Sequence, residues 1–568
     1  MKKLLRVDMA NLKVNIEDVP SEYAGLGGRA LTSTIVNKEV PPTCDPIGRH
    51  NKLVIAPGLL AGTGAPCSER LSIGAKSPLT GGIKESNSGG TAALKLARLD
   101  IAAVVVEGVP EDRPDADNFH VLKIENDKCF LEEARDLAGQ GNYTVCERLH
   151  KKYGERVSIT SIGQAGEMRL AGSTVAGSDM EGMPNRHAGR GGMGAVMGSK
   201  GLKAIVIDDT GAHAVQPKDK EAFTKAARDF VKALRECKGF IEQLRTCGTP
   251  GGIPNFNAFG TLPTRNFSAG CYEHAEKIQG AAIVEIAKSR GAKMHSCSPS
   301  CPIRCSVIYH DASHKFLVGG VEYETVAMLG SNLLISDVDA IALMNRLLND
   351  CGLDTIETGA ALGVVMESGL IKFGDSESAI ELIKEVAKGT IRGRMIGSGA
   401  AVTGKILGVK RVPAVKGQSL PAHHPQSNKI VGVTYCTSPM GADHTAGIMY
   451  DQTVHNPEGK VEKSRNMQIQ MGFVDSLGMC MFSSRGPAGY NDFMTRLMTA
   501  LNGKPYTEAD LIELGKRVLR TEHDFNKRAG FTKAHDRLPE FMTEIKIKPH
   551  DLVFDVPYDE VDKLYDGI

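Results

Sequence analysis

The run His295-Ser-Cys-Ser-Pro-Ser-Cys-Pro-Ile-Arg-Cys305 decides how the rest of this chain is read. Three thiols, Cys297, Cys301 and Cys305, are spaced four residues apart. Soft thiolates select iron–sulfur clusters, zinc or copper(I). Pro299 and Pro302 oppose a regular helix, so the run is expected as a loop wrapped around a centre. A radical-SAM motif has gaps of three and then two residues, whereas both gaps here are three. Structural zinc uses close pairs of ligands, and a second pair is missing. Buried, unliganded cysteine is the plain structural alternative. A cubane cluster is the best single reading, and its fourth ligand has to come from a distant part of the chain.

Outward from this run, the composition is that of a globular protein. The chain has 568 residues, a formal charge of +1, 24% charged and 41% hydrophobic residues. That length calls for two to four domains. The balanced charge gives no sign of nucleic-acid binding. No stretch approaches a membrane span. The start, MKKLLRVDMANLKV, is broken by Asp8 and has no twin arginine, so a cytoplasmic location is expected. In such a location the thirteen cysteines are reduced thiols or metal ligands rather than disulfides.

The first part reads as short β segments between glycine turns: 52–56, 71–75, 101–107, 119–124, 157–162 and 204–207. At Gln216-Pro-Lys-Asp-Lys-Glu221 the pattern turns helical. Ser336-Asp-Val-Asp339 reads as a capping box, with Ile341, Met344, Leu347 and Leu348 on one face. Gly352 ends that helix, Asp354 caps the next, and 378–388 is a further helix. Residues 412–426 read as a connection into a third region. The expected architecture is therefore α+β: a β-rich domain over 1–213, then mainly helical domains over 214–415 and 416–568. No tandem repeat is visible.

Four further stretches carry chemistry. Gly189-Arg-Gly-Gly-Met-Gly-Ala-Val-Met-Gly-Ser-Lys-Gly-Leu-Lys203 is a glycine-rich basic segment suited to phosphate oxygens, or equally a tight turn. Ser86-Asn-Ser-Gly-Gly90 could offer an asparagine carbonyl to a hard ion such as magnesium. Leu348-Asn-Asp-Cys-Gly-Leu-Asp354 and Val474-Asp-Ser-Leu-Gly-Met-Cys480 each place a polar residue three before a Gly-apolar pair. Two such elements suggest two copies of one ligand, and Cys480 is the natural fourth thiolate.

These stretches, together with Gly25-Leu-Gly-Gly-Arg29, Lys76-Ser-Pro-Leu-Thr-Gly81, Asn87-Ser-Gly-Gly90, Gly163-Gln-Ala-Gly-Glu167 and Ala188-Gly-Arg-Gly-Gly192, resemble the tungsten- or molybdenum-dependent aldehyde:ferredoxin oxidoreductases over nearly the whole length. The chain looks most like the branch with three residues in both gaps of its cysteine run. The resemblance implies a metal held by the dithiolenes of two pyranopterins (molybdopterin type), with a magnesium ion bridging their phosphates. It implies Arg70, Asn87, Gly89, Arg186, His187, Gly189 and Arg190 against the cofactor. The loops Asn349–Gly352–Leu353–Asp354 and Asp475–Gly478–Met479 would each hold one pterin. Cys297, Cys301, Cys305 and Cys480 would hold a [4Fe–4S] cluster. Glu324 and His444 match the family's catalytic pair. The alternatives are a glutamate bonded within its own fold and an ordinary buried Asp443–His444 pair.

The reaction implied is oxidation of an aldehyde to a carboxylic acid, with electrons leaving to ferredoxin or a ferredoxin-like subunit. The other readings are low-potential reduction of an activated acid or ring, and an iron–sulfur scaffold without pterin chemistry. A homodimer is among the expected assemblies. The chain also departs from its relatives. Asn349 replaces the first aspartate of a pterin loop, keeping an acceptor but losing the charge. Leu343 and Arg346 stand where some relatives carry a Glu-x-x-His pair for a mononuclear iron, so that iron is not expected. Ala446 stands where those relatives have a lysine.

Overall fold

The structure, a computed structural model, describes residues 2–110 and 118–568. Its β-rich part is a duplication. Strands β1 (Lys3–Asp8), β2 (Lys13–Asp18), β3 (Leu53–Pro57), β4 (Leu71–Lys76), β5 (Ile83–Ser88) and β6 (Ile101–Glu107) form one sheet, ordered β2-β1-β6-β3-β4-β5. Strands β7 (His120–Ile124), β8 (Cys129–Glu133), β9 (Ser158–Ser161), β10 (Val175–Gly177), β11 (Arg186–Ala188) and β12 (Leu202–Ile207) form a second, ordered β8-β7-β12-β9-β10-β11. Adding six to each strand of the first order gives the second. The pairings match as well. β1–β6 and β7–β12 are parallel, and every other neighbouring pair is antiparallel.

Helices recur at the same points. α1 (Gly28–Glu39) and α3 (Asn142–Tyr153) follow the second strand of each unit. α2 (Ala92–Arg98) and α4 (Met193–Ser199) follow the fifth. This repeat, and these helices, are absent from a reading of the part as strands and glycine turns. The two units share topology rather than residues. α1, rich in Thr, Ser and β-branched residues, has low intrinsic helix propensity and is held by burial of Gly28 through Val36.

The apolar expected strands are all present, with ends shifted by one or two residues. Six of the twelve, β1, β2, β5, β8, β10 and β11, went unread, and three of these have a clear physical reason. β1 and β2 form an edge hairpin with β2 largely exposed. β5, Ile-Lys-Glu-Ser-Asn-Ser, is polar yet mostly buried, because it borders a polar cavity. One apolar core joins the two sheets through Val104, Val106, Leu122 and Ile205.

From Asp219 onward helices dominate. Asp219 accepts from Ala222 N and starts α5 (Lys220–Glu236). A small sheet of β13 (Met294–His295), β14 (Ser306–His310) and β15 (Phe316–Gly319) carries the cysteine run on the β13–β14 connection. α6 (Tyr323–Leu329) follows. α7 (Val338–Cys351) is capped by Asp337, which accepts from Asp339 N, one residue beyond the Ser336 that the capping-box reading names. α7 ends at Gly352, and Asp354 caps α8 (Thr355–Glu367). The helix expected over 378–388 spans Ser376–Ala387. Residues 412–426 form a connection containing a two-residue-per-strand hairpin. α9 (Lys460–Leu477) and α10 (Glu508–Arg528) pack with α1 and α5 on the outer face of the first sheet. Among the described residues, no single helix is long and apolar enough to cross a membrane.

One buried ion network fastens the helical part to the first unit. Arg29 on α1 donates Nε and Nη2 to the two Glu522 oxygens at 2.8 and 2.7 Å, and Nη1 to Asp475 at 3.2 Å. Ser33 Oγ adds a bond to Glu522 at 2.8 Å. Arg29 is 1% exposed and Glu522 0%. Removing one partner leaves buried charge unpaired. Arg29→Ala is expected to destabilise the protein by about 3–5 kcal/mol. Thermal denaturation checks this, and adding Glu522→Gln to Arg29→Ala should recover part of the lost melting temperature.

Candidate cofactor chamber and active site

The two loops singled out by sequence adopt one conformation. α7 ends at Gly352 with φ +78°, and α9 ends at Gly478 with φ +79°. Left-handed φ at a helix end favours glycine. Each loop is clasped by backbone from a different unit. Thr174 N donates to Gly352 O at 2.9 Å and Asp354 N to Gly172 O at 3.0 Å. In the other unit Arg70 N donates to Gly478 O at 3.0 Å and Cys480 N to Cys67 O at 2.9 Å. The clasping segments precede β10 and β4, which are equivalent strands. Two more glycines make the approach possible. A Cβ on Gly163 would lie 2.4 Å from Cys351 backbone, and one on Gly58 would lie 2.2 Å from Gly478.

Between the clasps lies a polar cavity. Its wall includes Arg70, Asn87, Gly89, Arg186, His187, Gly189, Arg190, Asn349, Leu353, Asp354 and His444. These are eleven of the residues assigned by resemblance. Asp475, Gly478 and Met479 stand behind the wall. Asn87 Nδ2 donates to Asp475 Oδ1 at 3.3 Å, and Arg70 Nε donates to Asn87 Oδ1 at 2.9 Å. Gly352 lies in the clasp and Met479 is buried. Burial pushes the Asp475 carboxyl up, and Glu85 adds to this against the pull of Arg29. Burial raises Asp354 to about 6, with Arg190 opposing.

The glycine-rich segment does not present its cations to the cavity as free phosphate ligands. Arg190 bonds Asp354 at 3.1 Å, Ala442 O at 2.7 Å and Ser419 O at 2.8 Å. Lys200 Nζ donates to Asn51 O at 2.6 Å and Gly48 O at 3.0 Å, and Lys203 pairs with Glu167. Residues 193–199 are a buried helix. These cations hold the fold, because their charge is already matched by carboxylates and carbonyls. His187 is likewise satisfied by Thr174 Oγ1 at 2.7 Å and Pro184 O at 3.0 Å. Burial lowers its pKa to about 4, so it is neutral.

The cavity fits a polar group that brings hydrogen-bonding atoms of its own. Arg186 Nε and His444 Nδ1 are buried on its wall without a protein partner. The arginine N–H is a donor and the imidazole nitrogen a donor or an acceptor by tautomer, and buried polar atoms of both kinds need a partner. The equivalent edge strands β5 and β11 run beside each other there, placing Asn87 and the Arg186–His187 backbone together.

Next to the chamber the thiols converge. A Cβ on Gly89 would lie 3.3 Å from Cys297 Sγ and 3.5 Å from Arg70 Nη1, so one glycine separates thiol and cavity. Cys305 is pushed well up by burial, then by Glu322 and by the charges of Cys297, Cys301 and Cys480. Cys480 is pushed to about 12 by burial, opposed by Arg70 and reinforced by Cys297 and Cys301. The four assigned thiols thus lie near enough for their charges to act on one another. A fifth joins them. Cys67 Sγ lies 3.9 Å from Cys301 Sγ, and its carbonyl holds Cys480 N. No local pattern around Cys67 signals this. Only the clasp brings it there.

Glu324, on the first turn of α6, is reached from three sides. Oε2 accepts from Ala422 N at 2.7 Å. Oε1 lies 3.2 Å from His423 Nε2 and 3.6 Å from His444 Nε2. Burial works to raise its pKa, but His444, His423 and the Ala422 N–H together hold it at about 2, so it is a carboxylate at neutral pH. Burial keeps His444 low against Glu324 and Asp443, and so neutral at that pH. Asp443 pairs with Lys84 at 2.5 Å rather than with His444, and caps the short turn that carries His444. His423, unread in the sequence, donates or accepts at Tyr450 Oη, 2.7 Å from its Nδ1, and Tyr450 bonds Thr261 Oγ1 at 3.2 Å. Its signal was the pair His423–His424 in the connection before the third region.

Comparison with known proteins gives the family. Residues 4–209 match the family model for the N-terminal domain of aldehyde ferredoxin oxidoreductase, and 225–565 the model for its domains 2 and 3. The tungsten-containing aldehyde ferredoxin oxidoreductase of Pyrococcus furiosus is 32% identical, over 94% of this chain and 90% of that protein. The aliphatic sulfonate oxidoreductase WOR-like subunit of the same organism is 26% identical, over 92% and 85%. In fold, the chain is similar to the BamBC active-site complex of benzoyl coenzyme A reductase, at a TM-score of 0.81 and 19% identity, covering 99% of this chain and 92% of that one. The chain therefore belongs to the aldehyde ferredoxin oxidoreductase family, oxidoreductases with a tungsten bis-pyranopterin cofactor, a [4Fe–4S] cluster and, typically, magnesium.

Proposed function

We propose that the protein oxidises an aldehyde to a carboxylic acid and passes the electrons through a cluster held by Cys297, Cys301, Cys305 and Cys480 to ferredoxin or a ferredoxin-like subunit. The observation that carries this reading is the placement of Glu324 Oε1 between His423 and His444 beside the chamber. When bound, the metal bis-pyranopterin accepts the two electrons of the oxidation and the cluster relays them.

The chain's own groups handle binding and protons. Adding water to an aldehyde and removing two electrons leaves an acid and two protons. Glu324, ionised at neutral pH, takes a proton from the attacking water at Oε1. His444 is placed to hydrogen-bond the carbonyl oxygen from the chamber wall. His423 takes the proton on from Glu324, with Tyr450 and Thr261 fixing its ring through Nδ1. Asp443, locked to Lys84, fixes the turn of His444. In the chamber, Asn87 and the backbone near Arg186 and His187 would hold the magnesium-bridged phosphates. The loops at Asn349–Asp354 and Asp475–Met479 would each hold one pterin.

Glu324→Gln keeps the size but cannot take a proton. It is expected to lower kcat by about 10²–10⁴ at unchanged metal content. An anaerobic dye-linked assay over a panel of aldehydes measures this. A variant within about threefold of wild type would remove Glu324 from the mechanism. A wild type inactive on every aldehyde would favour reduction of an activated acid or ring instead.

Cys480→Ser should lose cluster absorbance and, through the adjoining loop, part of its tungsten or molybdenum. Cys67→Ser should keep the cluster's four irons. Iron counting with electron spin resonance separates the two, and the opposite pattern would make Cys67 the fourth ligand.

A further inference from the structure

Beside the thiol site, with none of the chamber-wall residues in its lining, lies a surface groove of about 870 Å³. Its floor includes Pro66, Ser300, Cys301 and Pro302, and its walls carry Arg228, Lys232, Arg235 and Arg304. Three of these cations recur at i, i+4 and i+7 along α5, on the face opposite buried Phe223, Phe230 and Leu234. All four are exposed. Glu236 is the one carboxylate in the lining, and it reaches only Lys232, at 3.9 Å. Arg228, Arg235 and Arg304 have no carboxylate within salt-bridge distance among the described residues. In a chain of formal charge +1 this is a local concentration of positive charge. Met180, 48% exposed, adds an apolar contact to the lining.

The two sides of the thiol site therefore differ. Cys297 abuts the chamber through Gly89, whereas Cys301 reaches the floor of a basic groove. We propose that this groove docks an acidic one-electron carrier protein, bringing the carrier's own redox centre next to Cys301. The proposal rests on the electron-exporting cluster of the proposed function and adds the surface that serves it. Each aldehyde releases two electrons, so two oxidised carriers dock in turn and each leaves reduced by one electron. Charge steering of this kind speeds encounter and is weakened by salt.

The test uses holoenzyme and a small acidic [4Fe–4S] ferredoxin. The double variant Arg228→Glu, Arg235→Glu is expected to raise the KM for ferredoxin by about tenfold or more while leaving the dye-linked rate unchanged. Raising salt from about 50 to about 300 mM should weaken the wild type and not the variant. Arg392→Glu with Arg520→Glu changes net charge equally at exposed positions outside the groove, and should leave the KM alone. Affinity of oxidised ferredoxin for immobilised holoenzyme gives a readout that needs no substrate. Loss of dye-linked aldehyde turnover in the wild type would strike the proposed reaction and leave this binding measurement standing. Equal KM and equal affinity in wild type and groove variant, or equal losses in the groove and control variants, would overturn the proposal.

Discussion

The pair of backbone clasps on Gly352 and Gly478 is what the rest of the structure depends on. Each clasp holds the end of a long helix against one of two equivalent β units, and the chamber is the space between them. The contacts are backbone to backbone, at distances that admit no Cβ on Gly58 or Gly163. A buried arginine stands behind each. Arg29 secures Asp475, and Arg190 secures Asp354. Buried charges are costly unless paired and hydrogen-bonded, so both arginines fix the geometry of their loops as well as the attachment of the helical domains.

The duplication explains why a single chain can hold two pterins. Two units of the same topology meet along their equivalent edge strands, β5 and β11, and each offers its own clasp. The symmetry then breaks at one position. Asp354 and Cys480 follow their glycines equivalently, yet one caps α8 and pairs with Arg190 while the other joins the thiols. The same local fold thus serves as an anchor on one side and as a support of the thiol site on the other.

Charge is distributed to match. Within the chamber most cations are already neutralised by the protein, leaving only a few buried donors, Arg186 Nε among them, for a ligand. Outside, three of the four cations of the groove over Cys301, Arg228, Arg235 and Arg304, have no carboxylate within salt-bridge distance among the described residues. Burial lowers His444 but cannot raise Glu324, because two imidazoles and an N–H face that carboxylate. The result is an ionised acid beside a neutral base at neutral pH, set by neighbours drawn from three distant segments.

Local chemistry alone made several features legible. The cysteine run, the glycine-ended helix before Leu353, the Asp354 cap and the β-branched strands are each dictated by a few adjacent residues. The eleven assigned residues of the chamber wall, His444 among them, and Glu324 beside it came from the resemblance to a family and not from local chemistry. The duplication was not legible, because two units can share a topology while sharing only a pattern of burial. Nor was β5, whose polar residues look unlike a buried strand until a polar cavity lies beside it. Cys67, His423 and the Arg29–Glu522 pair depend on contacts across 234, 99 and 493 residues. No periodicity spans such distances, and only the closing of the clasps brings those side chains together.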